Sequence, residues 1–185
     1  MTTYSHAPRP TGQTIAYTLK EDCLIIDSGS KVQMAQLGAV ERIRLSYEPG
    51  RFSNRIFRAR LTLKDGKSIN ITSVNWKSLI QAENLDAAYR TFVLDLIAAV
   101  YRTNPKVELL SGKPTFVWLL TVSIAVASFG GMSVLIWRAL QMGSVSTALM
   151  GILLAVVGIW QIEPMVRLNK PRNFTADDPS QMLLP

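Results

Sequence analysis

Arg42 and Arg44, and again Arg58 and Arg60, stand two residues apart in segments that alternate apolar and polar residues. Successive side chains of an extended strand point to opposite faces, so each pair shares one outward face. Guanidinium groups match the geometry of carboxylates and phosphates with paired hydrogen bonds, and four on neighbouring strands would suit an anionic partner. If the two strands pair across the loop from Pro49 to Asn54, the like charges also lie close enough to destabilise one another mildly. The same residues allow two readings. Glu48 and other acids nearby in space would leave an ordinary solvated strand face. Otherwise the face attracts anions, either lipid headgroups at about 1 kcal/mol per basic residue near the surface or an acidic protein surface.

Residues for covalent or acid–base chemistry are sparse. The only histidine, His6, falls in an amino-terminal segment, residues 1 to 12, that reads as mobile, and no Cys/His/Asp cluster has metal-ligand spacing. The single Cys23 lies in an apolar strand pattern and reads as core; alone it forms no internal disulfide, which suits a reducing compartment. Gly50, Gly66 and Gly130-Gly131 belong to no phosphate-cradling pattern, and Asp22, Asp27, Glu41 and Glu48 read as strand-end and surface charges. The expectation is a non-enzyme with no metal and no cofactor. Basic residues interleave with aromatics only at Arg51-Phe52 and Phe57-Arg58, so nucleic acid is not the expected partner.

The elements that must carry the arginines are short runs rich in Ile, Val, Leu, Phe and Tyr, broken by turn residues. Strands are expected near Thr14 to Leu19, Cys23 to Asp27, Lys31 to Gln36, Glu41 to Glu48, Ile56 to Leu63 and Lys67 to Val74. At Lys64-Asp65-Gly66 a two-residue loop would turn Ile69 and Ile71 to the polar face. A three-residue loop with Gly66 in the left-handed conformation instead pairs Leu61 with Ile69 and Ala59 with Ile71. Leu85, Tyr89, Phe92, Leu96 and Ala99 then recur at helical spacing from Ala82 to Tyr101, and Asn104-Pro105 ends that helix.

Two uncharged, largely apolar runs follow, Thr115 to Trp137 and Ala139 to Ile162, separated by Arg138. As helices, the first run and Val145 to Ile162 are about 34 and about 27 Å long, near the roughly 30 Å hydrocarbon thickness of a bilayer. Transmembrane helices are therefore expected at residues 115 to 137 and 143 to 162, with a tail at 163 to 185. Arg102, Lys106, Lys113, Arg167, Lys170 and Arg172 flank the outer ends against Arg138 alone in the connection, which places both termini in the cytoplasm. No apolar stretch precedes Cys23, so no signal peptide is expected. Residues 1 to 113 hold 16 Lys and Arg against 10 Asp and Glu, a net of +6 that would be drawn to an anionic leaflet. Small residues recur every fourth position, at Ser123, Ala127 and Gly131 and at Gly143, Thr147, Gly151 and Ala155. These stripes would either pack on each other or receive a partner's helix. The tail reads as extended and disordered, with docking of its apolar end, Met182-Leu183-Leu184, as the alternative.

Six or seven short antiparallel strands followed by one amphipathic helix resemble the pleckstrin-homology-like fold. The resemblance rests on Leu24 to Asp27, Ile43 to Tyr47, Phe57 to Leu63, the Lys64 to Lys67 turn, Ile69 to Ser73 and the helix Leu85 to Tyr101. It implies an α+β membrane protein: a PH-like antiparallel β-barrel or sheet at residues 13 to 110, capped by its carboxyl-terminal helix and followed by two transmembrane helices. Bacterial membrane proteins that join such a domain to a helix pair are similar in outline, which implies a two-pass protein of the bacterial inner membrane. The family binds lipids, peptides and proteins. Leu19-Lys20-Glu21-Asp22 lacks the basic cluster of its lipid-binding members, so phosphoinositide binding is not implied. The expected role is a membrane-anchored adaptor whose domain engages anionic lipid or a protein at the bilayer. The alternative is an accessory or assembly subunit of a larger membrane complex, contacted through the helices and tail.

Overall fold

The computed structural model describes residues 2 to 50, 55 to 176, 178, 179 and 183 to 185. Arg51, Phe52, Asp177 and Met182, singled out in the sequence, lie outside the described residues. The chain divides into two compact units, one of residues 1 to 112 and 172 to 185, the other of residues 113 to 171.

The first unit is mixed α and β. Its strands are β1 (Thr2–His6), β2 (Ile15–Leu19), β3 (Cys23–Asp27), β4 (Val32–Gln36), β5 (Val40–Pro49), β6 (Arg55–Leu63), β7 (Ser68–Thr72), β8 (Val74–Trp76), β9 (Ala82–Asn84), β10 (Glu108–Ser111) and β11 (Arg172–Asn173), with helix α1 (Asp86–Thr103) between β9 and β10. They form one sheet in the order β1-β2-β3-β4, a second in the order β11-β10-β5-β6-β7, and the hairpin β8-β9. Among the described residues no strand pairing joins the two larger sheets, so they stay open and do not close the barrel that the resemblance allowed.

Alternation decides what the second sheet buries. Ile43, Leu45 and Tyr47 of β5, Phe57, Ala59 and Leu61 of β6, and Ile71 of β7 are buried, as are Tyr89, Phe92, Val93, Leu96 and Ile97 of α1. Each such large apolar side chain contributes roughly 1.5–3 kcal/mol when fully buried. Leu61 pairs with Ile69 and Ala59 with Ile71, and Gly66 has φ +81°, the three-residue loop that keeps these side chains off the polar face. Asn104 ends α1, and its side-chain amide donates to the Val40 carbonyl at the start of β5 (2.9 Å).

Four segments depart from the sequence expectations. Ala82 to Asn84, read as the start of the helix, instead pairs with β8 as β9, so that α1 begins at Asp86. Residues 2 to 6, read as mobile, form β1 along the length of β2, and the Thr2 hydroxyl donates to Asp95 of α1 (2.6 Å). Glu108 to Ser111, read as a connector, is a strand lying parallel to β5, which breaks the expected all-antiparallel pattern. The tail, read as extended, adds β11 to β10 and buries Leu183 and Leu184, whose last carbonyl accepts a hydrogen bond from Arg90 Nη1 (2.6 Å).

Strand β1 matters for what it carries. Tyr4 on β1 and Tyr17 on β2 donate their hydroxyls to the carbonyls of Thr72 (2.6 Å) and Asn70 (3.1 Å) on the edge strand β7. Tyr4 also stacks on Phe92 of α1, with ring centroids 5.5 Å apart. His6 is fully buried, stacked on Tyr17 with centroids 5.5 Å apart and tilted on Tyr4 at 5.4 Å, and among the described residues neither ring nitrogen has a hydrogen-bond partner. Burial holds its imidazole down at about 4 from the ordinary 6.5 and pushes the Tyr17 phenol up to about 12.

Two predictions follow from this corner. Tyr4→Phe leaves the buried Thr72 carbonyl unpaired and should cost about 1–3 kcal/mol, read from the denaturant midpoint of the full chain in detergent. For His6, both states are neutral at this ring above its unfolded value of 6.5. As pH falls from there towards about 4, the unfolded chain takes up a proton that the fold excludes, and stability drops. The loss reaches roughly 3 kcal/mol. His6→Phe should flatten the stability slope across that window; an unchanged slope would show that His6 is not the group responsible.

Candidate functional site

The arginines lie together on the outward face of the second sheet. Arg44 on β5 stands directly opposite Arg60 on β6, Ser46 opposite Arg58, and Arg42 opposite Thr62. The inward alternation of Ile43, Leu45, Ala59 and Leu61 forces this, since a polar side chain at those positions would enter the core. Two of the four are ion-paired. Arg42 Nε lies 2.6 Å from Glu108 Oε2 on β10, and Arg58 Nη1 lies 2.8 Å from Glu48 Oε1 on β5. All four of these side chains are partly exposed, so each pair contributes about 1 kcal/mol or less.

Arg44 and Arg60 hold neutral partners instead. Arg44 Nη1 donates to the Gly112 carbonyl (3.2 Å), and Arg60 Nε donates to Asn70 Oδ1 on β7 (3.0 Å). Burial first, then the neighbouring charges of Arg42 and Arg60, lower the Arg44 guanidinium from its ordinary value, with Glu108 opposing them. A guanidinium stays charged through such a shift. The centre of the ladder therefore holds two cations on adjacent strands, with Cβ atoms of such opposed residues about 5 Å apart, and the unused donors of both can converge on one phosphate or carboxylate. Glu108 and Asn70 were not singled out from the sequence. The signal for Glu108 was the alternation of Val107, Leu109 and Ser111, which are buried, with Glu108, which is exposed.

Other chemistry-bearing residues do not converge. Among the described residues no group of three or more His, Cys, Asp or Glu is placed to hold a metal ion. One open cleft of about 680 Å³ runs between the β2–β3 turn and α1, lined by Lys20, Glu21, Asp22, Cys23, Asp95 and Arg102 among others. A second, of about 660 Å³, lies beside β7 and takes in Arg9, Tyr17, Arg58 and Asn70.

The second unit is a pair of helices, α2 (Thr115–Gln141) and α3 (Val145–Leu168), each long and apolar enough to cross a membrane. The helices extend past the expected spans: α2 runs four residues beyond Trp137, and α3 continues through Glu163 and Pro164 to Leu168. Gly143, with φ +71°, sits in the turn between them. The Trp118 indole donates to the Val166 carbonyl (2.9 Å), one of the last four carbonyls of α3, which have no partner within the helix.

The seam between α2 and α3 alternates spacings of three and four. On α2 it carries Val122, Ala125, Phe129, Met132, Ile136 and Ala139; on α3 it carries Ala148, Gly151, Ala155, Gly158 and Ile162. Small residues of α3 thus face large ones of α2, and a Cβ added at Gly151 would lie 2.8 Å from Ile136 Cγ1. Of the stripe Gly143, Thr147, Gly151 and Ala155, only the last two lie on this seam; Gly143 and Thr147 are exposed. Ser123, Ala127 and Gly131 are exposed too, so the two stripes do not pack on each other. Nothing lies within 4 Å of a Cβ added at Gly131.

Comparison with protein-family models, curated proteins and solved structures finds no match.

The two glycines should respond oppositely to one substitution. Gly151→Leu is expected to split the helix pair, read as loss of a disulfide or chemical cross-link engineered between α2 and α3. Gly131→Leu should leave that cross-link intact.

Proposed function

We propose that this chain is a membrane-anchored, non-enzymatic binding module. In this reading α2 and α3 cross the bacterial inner membrane with both termini in the cytoplasm, and residues 13 to 110 form a PH-like domain. The outward arginine face of that domain engages anionic lipid headgroups of the cytoplasmic leaflet. The PH-like reading is supported by the order of elements: the antiparallel meander β2-β3-β4, to which β1 adds from before residue 13, then the three-stranded meander β5-β6-β7 and, after the β8-β9 hairpin, an amphipathic helix that covers the inner face. The orientation is supported by six basic residues at the outer ends of the helix pair, Arg102, Lys106, Lys113, Arg167, Lys170 and Arg172, against Arg138 near the inner end.

The observation that carries the ligand class is the direct opposition of Arg44 and Arg60, whose hydrogen bonds among the described residues go to neutral groups, with Glu108, already paired to Arg42, as the acid acting on Arg44. A structural face would gain from a carboxylate at one of these positions, because like charges on facing strands are destabilising. An anion supplied from outside relieves the same repulsion. Tether length points to lipid as its source. Residues 112 to 114 link β10 to α2 and residues 169 to 171 link α3 to β11, and three residues reach about 10 Å at most.

A second reading has its own support. Ser123, Ala127 and Gly131 form a small-residue stripe of α2 that the helix pair leaves uncovered, which suits an accessory or assembly subunit contacted by a partner's helix.

The experiment is purification of the tagged full-length chain from its own membrane in gentle detergent, followed by mass spectrometry of co-purifying lipid and protein. The wild-type chain should retain anionic phospholipid, less so as salt rises. Replacing Arg44 and Arg60 by Ser should weaken that retention by about 30-fold, from about 1 kcal/mol per arginine. Equal retention by the double variant overturns the lipid reading. A near-stoichiometric membrane protein that survives the double variant and is lost with Gly131→Leu establishes the second reading.

A further inference from the structure

The β8-β9 hairpin of the first unit pairs Val74 with Asn84 and Trp76 with Ala82, which leaves residues 77 to 81 as its tip. Leu79 and Ile80 at that tip are 67% and 79% exposed, the most exposed of the large apolar side chains described in this unit. Their exposure is not that of a frayed loop. The backbone N–H groups of Lys77 and Ser78 both donate to the Gln81 carbonyl (3.0 and 3.2 Å), and the Gln81 N–H donates to the Ser78 hydroxyl (3.1 Å). The closed turn holds the two aliphatic side chains outward at its apex. At the base, Trp76 N–H donates to the Ala7 carbonyl (3.1 Å), Ala7 N–H to Asn75 Oδ1 (2.9 Å) and Leu85 N–H to the Ser73 carbonyl (2.7 Å), so the hairpin is fastened to the end of β1 and to the end of β7.

Strand direction shows which end of the unit this is. β5 runs from Val40 to Pro49, and β10 lies parallel to it with Glu108 beside Arg42 and Ser111 beside Leu45, so the chain leaves β10 towards the Pro49 end. It returns there at Arg172, which pairs with Ser111. Arg55 pairs with Pro49, and Thr72 with Arg58, so β7 also finishes at that end and hands the chain directly to β8. The Lys64 to Gly66 turn lies at the opposite end. The hairpin that carries the exposed apolar tip is therefore rooted at the end of the unit where the chain passes to α2 and comes back from α3. Arg55 and Arg172 are exposed at this end, and the tip is flanked by Trp76 and by Lys77, which pairs with Glu83 (2.9 Å). An aliphatic pair beside a tryptophan and a basic side chain fits the boundary between headgroups and acyl chains.

We propose that Leu79 and Ile80 form a lipid-inserting tip that enters the headgroup and upper acyl region of the bilayer crossed by α2 and α3. It is a third point of membrane attachment, separate from the arginine face, and it rests on reading those helices as membrane spans. An aqueous partner would meet the same apolar pair, but only lipid is delivered to this end of the unit by the chain itself.

The test uses the full-length chain with Cys23→Ser, carrying one environment-sensitive fluorophore at Ile80→Cys, at Val126→Cys within α2, or at Asp65→Cys in the turn at the far end. Each variant is placed as a single copy in nanodiscs containing lipids spin-labelled near the headgroup or along the acyl chain. The expected result at position 80 is blue-shifted emission with strong quenching by the shallow label, beside quenching at 126 and water-like, unquenched emission at 65. Quenching at 126 with water-like emission at 80 overturns the inference and leaves the spans standing. Protection at 80 that develops only with two copies per disc also overturns it, in favour of a contact between chains. Absence of quenching at both 80 and 126 overturns the membrane reading and the inference together.

Discussion

The free edge of β7 is the constraint on which the first unit turns. This strand closes the order β11-β10-β5-β6-β7, and among the described residues no further strand pairs with its outer side. Asn70 and Thr72 are two residues apart, so their carbonyls point to the same edge, where two tyrosine hydroxyls meet them in place of a neighbouring strand. A single such bond contributes about 1 kcal/mol net, while a buried carbonyl left unpaired costs about 1–3 kcal/mol. The hydroxyls therefore act mainly by removing a penalty. They also decide where the first sheet sits, because Tyr4 and Tyr17 belong to adjacent strands and also lie against Phe92 of α1. The first sheet, the second sheet and the helix meet at these rings. His6 is enclosed by the same cluster, where burial favours its neutral form, and among the described residues its nitrogens have no hydrogen-bond partner.

The outward face of the second sheet follows from its inward one. Once Ile43, Leu45, Ala59 and Leu61 fill the core, Arg42, Arg44, Arg58 and Arg60 have no other side to occupy. The face is then balanced unevenly. Glu48 comes from the same hairpin as its partner Arg58, whereas Glu108 reaches Arg42 from β10, which follows α1 in the chain. Arg44 and Arg60 receive a carbonyl and an amide, which satisfy donors without adding a carboxylate, and Glu108, paired to Arg42, acts on Arg44 only through space.

In the helix pair, size complementarity sets the contact. Both helices expose apolar side chains over most of their length, so in a lipid surrounding burial of apolar surface would favour no particular face. Gly151 and Gly158 lie against Ile136 and Phe129, and a larger side chain at Gly151 would meet Ile136 at once. A stripe repeating every fourth residue drifts around a helix of 3.6 residues per turn, whereas alternating spacings of three and four keep to one side. This is why Gly151 and Ala155 lie on the seam while Thr147, Gly143 and the whole Ser123, Ala127, Gly131 series fall off it.

Period-two alternation, a single glycine and period-3.6 spacing made much of this legible in the sequence. They determined which faces of β5, β6 and β7 are buried, the register at the Gly66 turn, the helix ending at Asn104, and two apolar helices with Arg138 between their uncharged cores. They also placed all four arginines on one face. The tertiary structure alone decided the pairing of β1, the parallel strand β10, the docking of β11 and Leu184, and the side of α2 that meets α3. The physical reason is range. Alternation and helical spacing are properties of a segment by itself, but five residues at the amino terminus or four after a helix become a strand only when an edge is presented to them. Glu108 finds Arg42 across 66 residues, and Arg90 finds Leu184 across 94.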